Sequence, residues 1–151
     1  MNTKGYFIKQ ILPIGLLVGS LDILVAMALS IIRDSAPLQM LRHIASALFG
    51  PEAFQPGIFH PLMGLALHYL IAMIWTVLFH WAHTRFKFPH KDWVWRGVGY
   101  GILVWTAMTF LVLPLSRLPA PNPAPGRALI GIVVLVLCLG LPLARHFRGG
   151  S

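Results

Sequence analysis

Four apolar runs, residues 11–32, 60–82, 95–116 and 128–144, set the terms for this chain. A bilayer's hydrocarbon core is crossed by about 20 apolar residues in a helix, and each run reaches or approaches that length. The predicted fold class is therefore all-α, an integral membrane four-helix bundle. Composition agrees. The chain is 57% hydrophobic and only 11% charged, whereas soluble domains carry about 25% charged residues. Too few charges remain to cover a water-facing surface, so the lipid bilayer is the expected partner. The net charge of +8 comes from 12 basic and 4 acidic residues. These bases sit at the ends of the apolar runs, where topology signals belong. A nucleic-acid partner would need them clustered on one soluble face, so none is expected.

Lys4 and Lys9 precede the first run, and Ala26-Met27-Ala28 resembles a signal-peptide cleavage site. Asp22 inside that run, and its continuation to Ile32, argue for a retained helix. Lysine and arginine placement orients the bundle. One side holds 8 of the 12, namely Lys4, Lys9, Arg85, Lys87, Lys91, Arg96, Arg145 and Arg148, and the other holds Arg33, Arg42, Arg117 and Arg127. Both termini are predicted to be cytoplasmic. Residues 1–148 form a single transmembrane domain, and Gly149-Gly150-Ser151 reads as a linker scar.

The connection over residues 33–59 carries a helix signal of its own at 36–49. Ser35 is placed to cap it, Pro37 suits its first turn, and Gly50-Pro51 stops it. Leu38, Leu41, Ile44, Ala45 and Leu48 share one face, while Gln39, Arg42, His43 and Ser46 share the other. The segment is too short to span, so it is predicted to be a short amphipathic outer-face helix in the interface. It either packs on the bundle as a lid or faces a substrate. The run of prolines from Pro119 to Pro125 reads as a stiff, extended bridge.

An acid in the middle of a span is costly and calls for a partner. Gly15, Gly19, Asp22, Ala26 and Ser30 fall on one helical stripe, and Gly15 with Gly19 lets another helix approach closely. Gly64, His68, Ala72 and Trp75 form a comparable stripe on the second run. Asp22 lies roughly 15 Å from the outer end of its helix and His68 roughly 12 Å from the same side, at 1.5 Å per residue. The two are predicted to hydrogen-bond directly or through one water, as an ion pair or sharing one proton. Thr106, Thr109 and Cys138 reach the same layer, so Asp22, His68, Thr106 and Thr109 make the candidate buried polar site. Such a layer either fixes helix pairing or handles a proton or ligand. Cys138 reads as a small buried apolar residue.

His80 and His83 stand at i and i+3 with His90 nearby, a spacing open to a metal or haem. With no carboxylate or thiolate set around them except Asp92, they read as membrane anchoring beside Arg85, Lys87 and Lys91. Neither a phosphate loop nor a catalytic triad motif is present, and no cofactor is expected.

Asp22, the segment Ile44-Ala45-Ser46-Ala47-Leu48-Phe49-Gly50 and Gly64-Leu65-Ala66-Leu67-His68-Tyr69 resemble a group of small bacterial four-span inner-membrane proteins. Met108 to Ser116 and Gly140-Leu141-Pro142-Leu143-Ala144 fit the same group, whose members often carry Asn where Thr109 stands. The resemblance implies this fold and an inner-membrane location, and no activity. Three functions stay open. The first is a non-enzymatic accessory or small-solute or proton-handling component, as a homo-oligomer or with a membrane-protein partner. The second is a membrane enzyme on a lipid-soluble substrate, with Asp22 and His68 as an acid–base pair. The third is a haem or metal protein using His68, or His80 with His83.

Overall fold

Each apolar run is a helix. The computed structural model describes residues 7–86, 92–117 and 124–149, and the described residues contain helices and no strand. The elements are α1 (Phe7–Ile32), α2 (Pro37–Phe49), α3 (Phe59–Phe86), α4 (Trp93–Leu115) and α5 (Pro125–His146). All except α2 are long and apolar enough to cross a membrane. Helix α3 continues past the predicted residue 82, because nothing in His83-Thr84-Arg85-Phe86 breaks a helix even though the apolar run has ended. Lys4, Lys87, His90, Lys91, residues 119–123, Gly150 and Ser151, all used in the sequence reading, lie outside the described residues. Phe147–Gly149 form a 3-10 turn after α5.

Helix α1 packs on α3 and on α5, and α4 runs along α5. Small residues bring the α4–α5 backbones together. A Cβ on Gly101 would stand 2.6 Å from the Val136 Cα, and one on Gly140 would overlap the Gly97 carbonyl. Helices α3 and α4, neighbours in sequence, meet instead through long side chains. Trp75 Nε1 donates to the Met108 sulfur at 3.4 Å, the Tyr100 hydroxyl donates to the Trp75 carbonyl, and the Phe79 and Tyr100 rings meet edge to face. Along this seam the two backbones stay apart. At the end nearer the termini the interior is filled by Ile14, Val18, Phe79, Val104, Leu139, Leu143 and Phe147.

Three spans contain a π-helical turn, Phe7–Ile11, Met108–Val112 and Val136–Gly140, each two residues before Pro13, Pro114 or Pro142. Proline lacks an N–H, and its ring crowds the carbonyl four residues earlier. Widening the turn before it accommodates the ring without ending the helix.

Helix α2 lies across α3. A Cβ on Gly64 would overlap the Leu41 carbonyl, so glycine is what lets the α2 backbone touch α3. Leu41 and Ala45 are buried as the pattern predicted, while Leu38 and Leu48 are exposed. Ser35 is not the cap. Ala36 holds that position with Pro37 in the first turn, and the Ser35 carbonyl instead accepts from Ser30 Oγ at 3.0 Å. Asp34, in the left-handed region at φ 57, redirects the chain between the two helices. Ser46, placed by the sequence on the polar face, is buried and donates to the His43 carbonyl at 2.7 Å. Helix α2 is held on a second side as well, where the Arg117 N–H donates to the Ala47 carbonyl at 3.1 Å.

Candidate functional site

Gly15 and Gly19 shape the α1–α3 contact. A Cβ on Gly15 would meet the Met73 side chain at 2.9 Å, and one on Gly19 would meet Tyr69 at 3.0 Å and Ala72 at 3.2 Å. With no side chain in the way, His68 reaches the α1 backbone. His68 Nε2 lies 2.9 Å from the Gly19 carbonyl. A carbonyl only accepts, so that nitrogen carries the proton. Beside it, Ser20 Oγ and the Tyr69 hydroxyl are 2.8 Å apart.

Asp22 Oδ2 stands 3.9 Å from the same His68 nitrogen. That is ion-pair range, and it is too long for the direct form of the hydrogen bond that the sequence predicts either directly or through one water. The Gly19 carbonyl, one helical turn earlier, takes the bond because it is closer to the ring. Both side chains are mostly covered, at 13% exposure for His68 and 22% for Asp22.

These two residues face a cavity of about 360 Å³ in the half of the bundle nearer α2. Trp75 of α3, Trp105 of α4 and apolar residues of α1 and α5 form its walls. Arg33 and Arg127, at the ends of α1 and α5, stand at the other end of it, with Ile44 of α2 beside them. Asp22 and Arg33 are 11 residues apart on one helix and its C-cap, so the cavity runs about 16 Å along the bundle axis. Its far end is closed by the apolar core, with Val104 and Leu139 belonging to both. Among the described residues neither arginine forms an ion pair. Trp105 fits because α5 offers Gly131, where a Cβ would stand 2.7 Å from the indole nitrogen.

Thr106 is not part of this site. It is exposed on α4, and its hydroxyl donates to the Ile102 carbonyl at 2.8 Å. The buried residue there is Val104, and two residues further on points about 200° away on a helix. Thr109 is buried in a π-helical turn and does not line the cavity. Cys138 is a buried free thiol. On α2, His43 is exposed and Arg42 Nη2 donates to the Gly57 carbonyl at 3.1 Å. His83 is buried, and its Nδ1 accepts from Arg96 Nη1 at 2.9 Å. A guanidinium against that nitrogen opposes a metal ion there, and among the described residues no three His, Cys, Asp or Glu side chains cluster as metal ligands.

Sequence reasoning did not place Arg33 and Arg127 at the site, since it assigned them to topology alone, and it passed over Trp105. A usable signal was present, because both arginines flank the spans at the end from which Asp22 depth was counted.

No protein-family model, curated protein or solved structure matches this chain.

Proposed function

We propose that this chain is a non-enzymatic inner-membrane component, with cytoplasmic termini, that holds a small amphiphilic ligand inside its bundle. One observation carries the reading, the closed-ended cavity that joins Asp22 and His68 to Arg33 and Arg127. Its apolar walls favour an apolar body. Two arginines at the mouth attract an acidic group and repel cations. At the inner end Asp22 accepts a hydrogen bond from a ligand hydroxyl or amide. The filled core below argues for binding and against a through-path for solute. His68 already spends its Nε2 proton on the Gly19 carbonyl, which favours a positioning role for it over acid–base turnover. The resemblance to bacterial four-span proteins is consistent with this location.

Native mass spectrometry of the protein released from nanodiscs tests the reading and also reports any homo-oligomer or protein partner. The expected result is a co-purifying small molecule, lost from both Asp22→Asn and the Arg33→Gln/Arg127→Gln variant. Equal occupancy of the same species in all three proteins would defeat the proposal.

A further inference from the structure

Beside the Asp22 cavity, a groove of about 450 Å³ separates the C-terminal end of α1 from α2. Ala26, Leu29 and Arg33 follow one another at steps of three and four along one stripe of α1, and they border both spaces. Helix α2 borders both as well, with Ile44 at the cavity and Gln39 and His43 along the groove. Arg33 therefore stands where the two meet.

The two spaces differ in chemistry. The cavity is walled by tryptophan and aliphatic side chains, whereas the groove carries Arg33, Ser35, Gln39 and His43, all exposed. Among the described residues the side chains of Arg33, Gln39 and His43 hydrogen-bond to no protein group, so their donors are open to a ligand. The turn that presents Arg33 and Ser35 is fixed. Their N–H groups donate to the Ser30 carbonyl at 3.1 and 3.0 Å, and Ser30 Oγ donates back to the Ser35 carbonyl at 3.0 Å. Gln39 lies in the first turn of α2, whose partial positive charge also favours an anion. Asp34 and Glu52 are the acids near this end among the described residues, and neither borders the groove.

We infer that the groove holds the head of the ligand proposed above, and that this ligand is a single-chain phosphate ester of the lysophospholipid kind. The inference rests on the cavity being a ligand site. Arg33 takes the phosphate at the junction, while Ser35, Gln39 and His43 bond its other oxygens and the polar head beyond it. A guanidinium fork matches a carboxylate as well as a phosphate, so the space beyond it decides. A carboxylate would end at Arg33 and leave unfilled a groove larger than the 360 Å³ cavity, with its other polar side chains unused. The cavity sets the number of chains. Its 360 Å³ spread over about 16 Å leaves a mean cross-section of about 22 Å², which is that of one extended hydrocarbon chain.

The test compares three ligands on the full chain in maltoside micelles, by native mass spectrometry. They are a lysophosphatidylglycerol, the fatty acid of the same chain length, and glycerol 3-phosphate. Neither amphiphile carries a group for Asp22, so their difference isolates the head. Wild type is expected to bind the lysophospholipid about tenfold more tightly than the fatty acid, the effect of one hydrogen bond to a charged group, and glycerol 3-phosphate more weakly than either. Gln39→Leu/His43→Leu should bring the ratio of the two amphiphiles close to one. That ratio is read on folded protein alone, so a loss of stability does not imitate it. Equal affinity of wild type for the two amphiphiles, or an unchanged ratio in the variant, would overturn the inference and leave the cavity reading standing. Binding of neither amphiphile would remove both. Glycerol 3-phosphate bound as tightly as the lysophospholipid would also overturn the inference, by showing a free-phosphate site that takes no chain.

Discussion

Gly101→Ala measures how tightly the α4–α5 contact is set. The added Cβ would stand 2.6 Å from both the Cα and a methyl of Val136 and 2.8 Å from its backbone nitrogen. Carbon atoms rest at about 3.5 Å or more, so the helices must part by about 1 Å. Backbone atoms cannot rotate aside as a side-chain tip can. Overpacking of this kind costs about 1–3 kcal/mol, and the better helix propensity of alanine returns about 1 kcal/mol. A net loss of up to ~2 kcal/mol corresponds to a melting drop of up to about 8 °C for a chain of this size. Gly99→Ala is the internal control, because it sits two residues away with open space at its Cβ. It should gain up to about 1 kcal/mol from propensity alone. Thermal melts of both proteins in one detergent, followed by circular dichroism, make the comparison. If Gly101→Ala melts at or above Gly99→Ala, the close α4–α5 packing described above is wrong.

Further expectations concern the other elements. A double-mutant cycle on Asp22→Asn and His68→Ala, read by melting, should give a coupling near the intramembrane average of about 0.6 kcal/mol, since the groups lie 3.9 Å apart and His68 is bonded elsewhere; strict additivity would remove the pair. Gly50 closes α2 at φ 64 and ψ −143, backbone that essentially only glycine adopts, so Gly50→Ala should destabilise by about 1–3 kcal/mol, and an unchanged melt would speak against that positive-φ cap. For topology, a cysteine at residue 122 in a Cys138→Ala background should react with an impermeant thiol reagent from the outer face; labelling only from the cytoplasmic side would reverse the orientation.

The spans were legible because their signal is length and apolarity, which packing cannot overrule in lipid. The α2 helix was legible from Pro37, Gly50 and its period. The depth count put Asp22 and His68 at one level, and the structure has them 3.9 Å apart. What the count lacked was rotation about the helix axis. Thr106 reaches the same depth yet points outward, because Val104 takes the buried direction. Ser46 reads as polar, yet a small hydroxyl that bonds its own helix can be buried. The cavity was least legible. It exists because α3 and α4 are held apart by Trp75, Met108 and Tyr100 while Gly97, Gly101 and Gly140 draw α4 to α5. That is a property of four helices together and appears in no single stretch. Half of it was within reach of the sequence, since Gly97 and Gly101 form the same small-residue pair that was read at Gly15 and Gly19.

A cavity with a cationic mouth leads to Asp22. Ala26 lines it midway between Asp22 and the arginines, so Ala26→Cys in a Cys138→Ala background reports on it directly. Reaction rates with small anionic and cationic methanethiosulfonates of similar size are compared in nanodiscs. The expected result is faster labelling by the anionic reagent, with the difference lost in Arg33→Gln/Arg127→Gln. No labelling by either reagent, or equal rates that the arginine substitutions leave unchanged, would contradict it.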